Sequence, residues 1–210
     1  MAEFSSETMS DKKGYLTKDQ VDRLLNAAGN LRDRLLLQLM YRCGRRVSEV
    51  LLLKKEDILW DDKMIIFTIL KRKKPIKELK PVDEGTMKLL DLYVNENIQM
   101  HGLRKKMEDG RLFPITRQYV FKLMRKLGDK TGIIQVGKTK LHPHHLRHSF
   151  AIHAVRTSVK STEDLSKLQR YMGHANISTT AHYLQFSPSE QRSIITDMWE
   201  KKKDKNESKK

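Results

Sequence analysis

Only one stretch of this 210-residue chain reads as β structure, and that stretch decides the fold class. Ile58 to Trp60, the turn Asp61-Asp62 and the run Met64 to Leu70 (MIIFTIL) form a hairpin pattern rich in β-branched residues. Lys71 to Pro75 (KRKKP) makes the next turn, and Ile76 to Val82 a third strand. Strands joined this tightly pair antiparallel, because a parallel pair needs a crossover of roughly a dozen residues or more. Most of the rest carries helical spacing. Thr17 and Gln20 form a capping-box pattern ahead of Val21, Leu24, Leu25 and Ala28. Asn30 opens a second helix through Leu35, Leu36, Leu39 and Met40, which Gly44 ends. A short helix from Val47 to Leu53 follows. Asp83 starts another, with Met87, Leu89, Leu90, Leu92 and Tyr93 on its apolar face, and 99–110 reads as a polar loop. Thr116 caps a helix bearing Val120, Phe121, Leu123, Met124 and Leu127. Gly132 to Pro143 reads as irregular. Helices then span His144 to Thr157 and Thr162 to Met172, ahead of the segment with Tyr183 and a last helix from Ser189 to Trp199. The expected fold is mainly α with a small three-stranded antiparallel β-sheet.

Charge narrows the partner. The formal net charge is +16, and the tail 201–210 holds six lysines against Asp204 and Glu207. Removing that tail still leaves +12, so the excess belongs to the body of the chain. A polyanion is the expected partner, and nucleic acid is the commonest. No apolar run approaches the ~20 residues that cross a bilayer, and the polar N-terminus shows no secretory signal. The single cysteine, Cys43, fits a reducing compartment and reads as a small buried hydrophobe. The expected location is therefore cytoplasmic and nucleoid-associated. Residues 1–13 read as a disordered or expression-derived N-terminal segment, 14–200 as one catalytic domain, and 201–210 as a basic C-terminal tail.

Two motifs need separating from chance. Gly132 to Thr139 matches the letters of a phosphate-binding loop, G-x-x-x-x-G-K-T. That loop needs a buried strand before it and a helix starting at Lys138, whereas His142-Pro143 interrupts any such helix. The histidines His142, His144, His145, His148 and His153 could suggest a metal, but basic neighbours would repel a cation and no cysteine converges there. Neither motif is read as functional, although Lys138 and Lys140 remain candidates for contact with DNA phosphates.

The informative stretch runs from Leu141 to Tyr183. His144 and Arg147 lie three residues apart, so on a helix they share a face. Arg is suited to phosphate because its planar fork donates two parallel hydrogen bonds. Gly173-His174 and Tyr183 follow, and Gly44-Arg45-Arg46-Val47-Ser48-Glu49 lies upstream. In this order and spacing the chain, from about Gly14 to Trp199, resembles the tyrosine recombinases, the integrase and Xer-like site-specific recombinases. Their pattern is Gly-x-Arg-x-Ser-Glu, then Lys, His-x-x-Arg, Gly-His and Tyr.

The resemblance implies the tyrosine recombinase catalytic-domain fold and a site made of Arg46, Lys71, His144, Arg147, His174 and Tyr183. Tyr183 would attack a scissile phosphate, giving a 3′-phosphotyrosyl link without cofactor, metal or ATP. Lys71 aligns with the general acid by its distance from Arg46, with Lys73 and Lys74 as open alternatives. Arg72, Lys73 and Lys74 would otherwise touch DNA. Glu49 would orient the arginines, and Ser48 would cap its helix. Tyr15, Tyr41, Tyr93, Tyr119 and Tyr171 lack the cationic company expected of a nucleophile. The implied partner is double-stranded DNA, bound by a homo-oligomer, a tetramer on two duplexes, with a monomer compatible in solution. Integrases of this type carry a helical core-binding domain ahead of the catalytic one, and only a short segment precedes the first helix here, so a one-sided, weak grip on DNA is expected. Two other readings share the charge: DNA relaxation of the type IB topoisomerase kind, and DNA binding without catalysis.

Overall fold

The computed structural model describes residues 14–69, 75–100 and 110–172, except the side chains of 96–100 and 162. The first helix, α1 (Lys18–Ala27), starts where its caps predict. Thr17 Oγ1 accepts from the Gln20 N–H, and the Gln20 side chain accepts from the Thr17 N–H. Asn30 caps α2 (Leu31–Arg42) through the Asp33 N–H. Each such cap contributes about 1 kcal/mol by satisfying an otherwise unpaired amide.

The end of α2 sets the direction of the next helix. Gly44 N–H donates to Tyr41 O and Arg45 N–H to Met40 O, the paired bonds of a Schellman turn. Gly44 takes φ +59°, and a Cβ there would sit 2.5 Å from Phe150 Cδ1. Both the backbone and the neighbouring helix therefore require glycine. The chain reverses and enters the short helix α3 (Val47–Leu51), which ends two residues before the position expected from sequence.

A 3₁₀ turn (Lys55–Asp57) leads to β1 (Ile58–Leu59), β2 (Met64–Ile69) and β3 (Ile76–Pro81). They pair antiparallel in the order β1-β2-β3, with Phe67 opposite Glu78 and Ile65 opposite Lys80. Ile65, Phe67 and Ile69 alternate inward and are buried. Helix α4 (Glu84–Met100) begins after Asp83, whose carboxylate accepts from the Thr86 N–H and hydroxyl. It extends through Gln99 and Met100, which the sequence assigns to a loop; 101–109 lie outside the described residues.

Thr116 caps α5 (Arg117–Thr131), and Gly132 ends it in the left-handed region. The next stretch corrects the sequence reading. Gln135–Val136 (β4) pairs antiparallel with Thr139–Lys140 (β5), so a second, two-stranded ladder stands where irregular chain is expected. Two-residue strands are too short to show alternation. Gly137 turns this hairpin with φ +59°, so no helix starts at Lys138 and the phosphate-loop letters have no phosphate-loop structure.

Helices α6 (His144–Ser158) and α7 (Thr162–Met172) complete the described chain. Helix α2 is the central element, packed against α4 on one side and α6 on another. The main core includes Leu36, Leu39, Val50, Phe67, Leu90, Phe113, Met124 and Leu146. A smaller cluster, Ala151, Val155, Leu165, Leu168 and Met172, joins α6 to α7, and Phe150 packs against both. No helix among the described residues is long and apolar enough to cross a membrane.

Candidate active site

Arg46 and Glu49 are brought together by the first turn of α3. Arg46 is its N-cap, and its backbone N–H donates to Glu49 Oε2 at 3.0 Å while Nη1 donates to Oε1 at 2.7 Å. Ser48 lies inside the helix and makes no cap; Glu49 supplies that contact. The Glu49 side chain is 1% exposed, and a carboxylate so placed requires cations. The second comes from α6. Arg147 Nη1 lies 4.0 Å from Glu49 Oε2. One buried carboxylate thus stands between guanidiniums from distant parts of the chain.

Arg147 is itself buried, and its plane is fixed by carbonyls. Nη1 donates to Gly44 O at 2.6 Å, and Nη2 donates to Met172 O. The Schellman turn at Gly44 aims its carbonyl at the next helix, so the glycine and the arginine of separate motifs serve one arrangement. Arg46 differs, with a side chain 27% exposed.

His144 opens α6 at the edge of this cluster, on the exposed side, and its N–H donates to His142 Nδ1 at 3.3 Å. Partial desolvation, then the charges of Arg147, His142, Arg46 and His148, hold its pKa down to about 4. The ring is therefore neutral near pH 7, and only an added negative charge beside it would restore its basicity. His145 is occupied structurally: its Nδ1 accepts from the His142 N–H, and its Nε2 lies 3.1 Å from Thr139 Oγ1. Burial pushes its pKa down to about 4 as well. His153 lies 2.7 Å from the Tyr41 hydroxyl, on the far part of α6. Among the described residues no three His, Cys, Asp or Glu side chains group to hold a metal.

Lys138 and Lys140 are exposed on the β4–β5 hairpin, which the Thr139–His145 contact ties to the start of α6. Lys71, Arg72, Lys73, Lys74, His174 and Tyr183 lie outside the described residues. Burial pushes the Cys43 thiol up to about 12, which makes it inert. Tyr171 has more cationic company than the sequence suggests, with Arg45 and Lys80 against its ring. Burial nevertheless raises its phenol pKa, the wrong direction for a nucleophile.

Sequence reasoning missed two features. One is the exposed face of α5, where Arg117, Gln118, Phe121, Lys122 and Arg125 line a groove of about 460 Å³. Arg117 lies over the Phe121 ring, and that ring stacks on His142, which joins the groove to the His144 cluster. The i, i+4, i+8 spacing of Arg117, Phe121 and Arg125 carries that signal in the sequence. The other is Arg45, fully buried beside the partly exposed Arg46.

Comparison with known proteins gives a consistent picture. The family model of the phage integrase family matches residues 14–190. The tyrosine recombinase XerA of Pyrococcus horikoshii is 32% identical over 185 residues, covering 86% of this chain and 59% of that protein. The tyrosine recombinase XerD of Bifidobacterium longum is 33% identical over 190 residues, covering 82% and 58%. The chain thus spans about three-fifths of the length of these relatives. Among solved structures, a XerA recombinase superposes with a TM-score of 0.70 at 26% identity, covering 88% of this chain and 65% of that one. The XerH recombinase bound to its palindromic difH substrate has a TM-score of 0.68 at 21% identity, covering 93% and 56%, a likeness of fold.

Proposed function

The chain is a member of the phage integrase family, and on that premise we propose that it cuts and rejoins double-stranded DNA as a site-specific recombinase. The observation that carries this reading is the placement of Glu49 between Arg46 and Arg147, with the neutral His144 beside them. Two guanidiniums and one carboxylate sum to a single positive charge, which suits the single negative charge of a phosphodiester. Arg46, and Arg147 with both Nη atoms already anchored on the Gly44 and Met172 carbonyls, would hold the non-bridging oxygens and stabilise the charge that builds in the pentacoordinate state.

The reaction is a transesterification. Tyr183 Oη attacks the scissile phosphorus, its proton passing to His144, while the bond from phosphorus to O5′ breaks. Lys71 protonates the leaving O5′, and His174 hydrogen-bonds the phosphate. A free phenol, with a pKa near ~10, needs such help at neutral pH. The phosphodiester is conserved as a 3′-phosphotyrosyl link, so a 5′-hydroxyl can attack it to rejoin the strand. No hydrolysis of ATP is required by this balance. Lys138 and Lys140, together with Arg72, Lys73 and Lys74, would neutralise flanking phosphates, and strand exchange would use four protomers on two duplexes.

Incubation with a nicked suicide duplex, followed by a denaturing gel, tests the reading. The expected result is a covalent protein–DNA band that forms in EDTA and disappears in Tyr183→Phe. DNA binding with no such band in the unmodified protein would leave only a binding function.

A further inference from the structure

Arg45 occupies the same box as Arg46 and takes no part in the cluster facing the phosphate. Its Nε donates to Cys43 O at 2.9 Å and its Nη2 to Tyr171 O. Arg147 repeats this pattern one residue further along each segment, from Gly44 O to Met172 O. The two guanidiniums are consecutive rungs between the turn that ends α2 and the Tyr171 and Met172 carbonyls of α7.

The rest of Arg45 is committed to an ionic group under the sheet. Its Nη1 lies 3.8 Å from Glu78 Oε2, and Lys80 Nζ lies 2.9 Å from the same oxygen. That oxygen is buried and meets no donor in hydrogen-bond geometry, so charge alone holds it. Aromatic faces surround the group: Arg45 stacks at 5.6 Å from Phe67 and 5.4 Å from Tyr171, and Lys80 at 4.8 Å from Tyr171. An apolar side chain could fill this volume with no charged groups to desolvate. Burying ions costs several kcal/mol each, so space filling is a poor account of the arrangement.

We propose that Arg45 is a positioning residue for Arg147. By holding Tyr171 O against the α2 turn, it places the next carbonyl, Met172 O, which orients the Arg147 guanidinium. Glu78 and Lys80 fix Arg45 in turn and couple the placement to β3. The inference rests on reading the Arg46–Arg147 cluster as a phosphate site.

The test is titration of the whole chain with inorganic phosphate, following the Arg147 side-chain Nε–H resonance by NMR. Arg45→Met should weaken phosphate binding about tenfold, equivalent to ~1.4 kcal/mol, and Arg45→Lys should recover part of that loss. Glu78→Gln, which keeps the volume, should give a smaller loss. In an Arg147→Lys background, followed through the Arg46 resonance, Arg45→Met should add less than about twofold, because coupled residues are not additive. Unchanged phosphate affinity in Arg45→Met, or full additivity in that cycle, overturns the proposal. So does the absence of any phosphate-dependent shift in the unmodified protein. If Arg45→Met does not fold, Glu78→Gln decides, and unchanged affinity there overturns it. The covalent-band assay separates the two readings. No band with Arg45-dependent phosphate binding removes strand transfer and keeps the positioning role; a band with Arg45-independent binding does the opposite.

Discussion

Arg45 and Arg46 are neighbours in sequence and opposites in the structure. Arg45 is fully buried and enclosed by two carbonyls, Glu78, Phe67 and Tyr171. Arg46 holds one carboxylate with one edge and keeps a quarter of its side chain in solvent. The chain reversal at Gly44 sends the two side chains to different faces, one into the joint between β3 and α7, the other toward the site. Identical chemistry is thus enclosed in one case and left open to solvent in the other. What distinguishes them is whether the guanidinium is enclosed by fixed protein acceptors or left able to meet an outside anion.

That contrast can be broken experimentally. The largest expected effect is at the residue that belongs to both sides. Arg147→Ala should lower single-turnover cleavage of a nicked duplex by 100-fold or more, the ~3–4 kcal/mol typical of a lost preorganised donor. Cleavage within tenfold of the unmodified rate would remove Arg147 from the site. Next is stability across the arginine pair. Arg45→Met should lower the free energy of unfolding by ~3 kcal/mol, since it strips the Cys43 and Tyr171 carbonyls of a donor and leaves the buried Oε2 of Glu78 with one cation fewer. Arg46→Met should cost less, ~1–2 kcal/mol, because Arg147 still faces the buried Glu49 carboxylate. Equal losses in urea denaturation would erase the distinction between the two.

Gly44→Ala acts on the turn that separates them. The left-handed backbone alone disfavours a side chain by ~1–2 kcal/mol, and the contact with Phe150 adds to this. A fall in unfolding midpoint accompanied by slower cleavage is expected; an unchanged midpoint would mean the turn does not set the geometry. The histidines carry the pH dependence. His144, His145 and His153 have pKa values lowered to about 4 in the folded protein, against ~6.5 unfolded. The unfolded chain therefore binds protons first, and stability is lost as pH falls from about 6.5 toward 4. Thermal unfolding at successive pH values should show this slope, and His145→Gln should flatten it; a flat profile in the unmodified protein would refute the lowered values.

Much of the fold is legible in local signals. Thr17, Asn30, Asp83 and Thr116 mark helix starts, Gly44 and Gly132 mark ends, and the β-branched run Met64 to Ile69 gives the central strand. The β4–β5 hairpin is not legible, because two-residue strands carry no period. The groove on α5 was legible in principle through the spacing of Arg117, Phe121 and Arg125. Ser48 was misplaced because a cap is defined by where the helix begins, and Arg46 begins it.

Sequence alone determined which side chains the chain possesses, in what order, and on which helical or strand face each falls, because backbone periodicity and capping are local. The convergence of Arg46, Arg147 and Glu49, and the burial of Arg45 on Glu78, were decided only by tertiary packing. The reason is that a guanidinium carries the same charge wherever it stands. Its partners, its exposure and hence its role come from segments the local pattern cannot see.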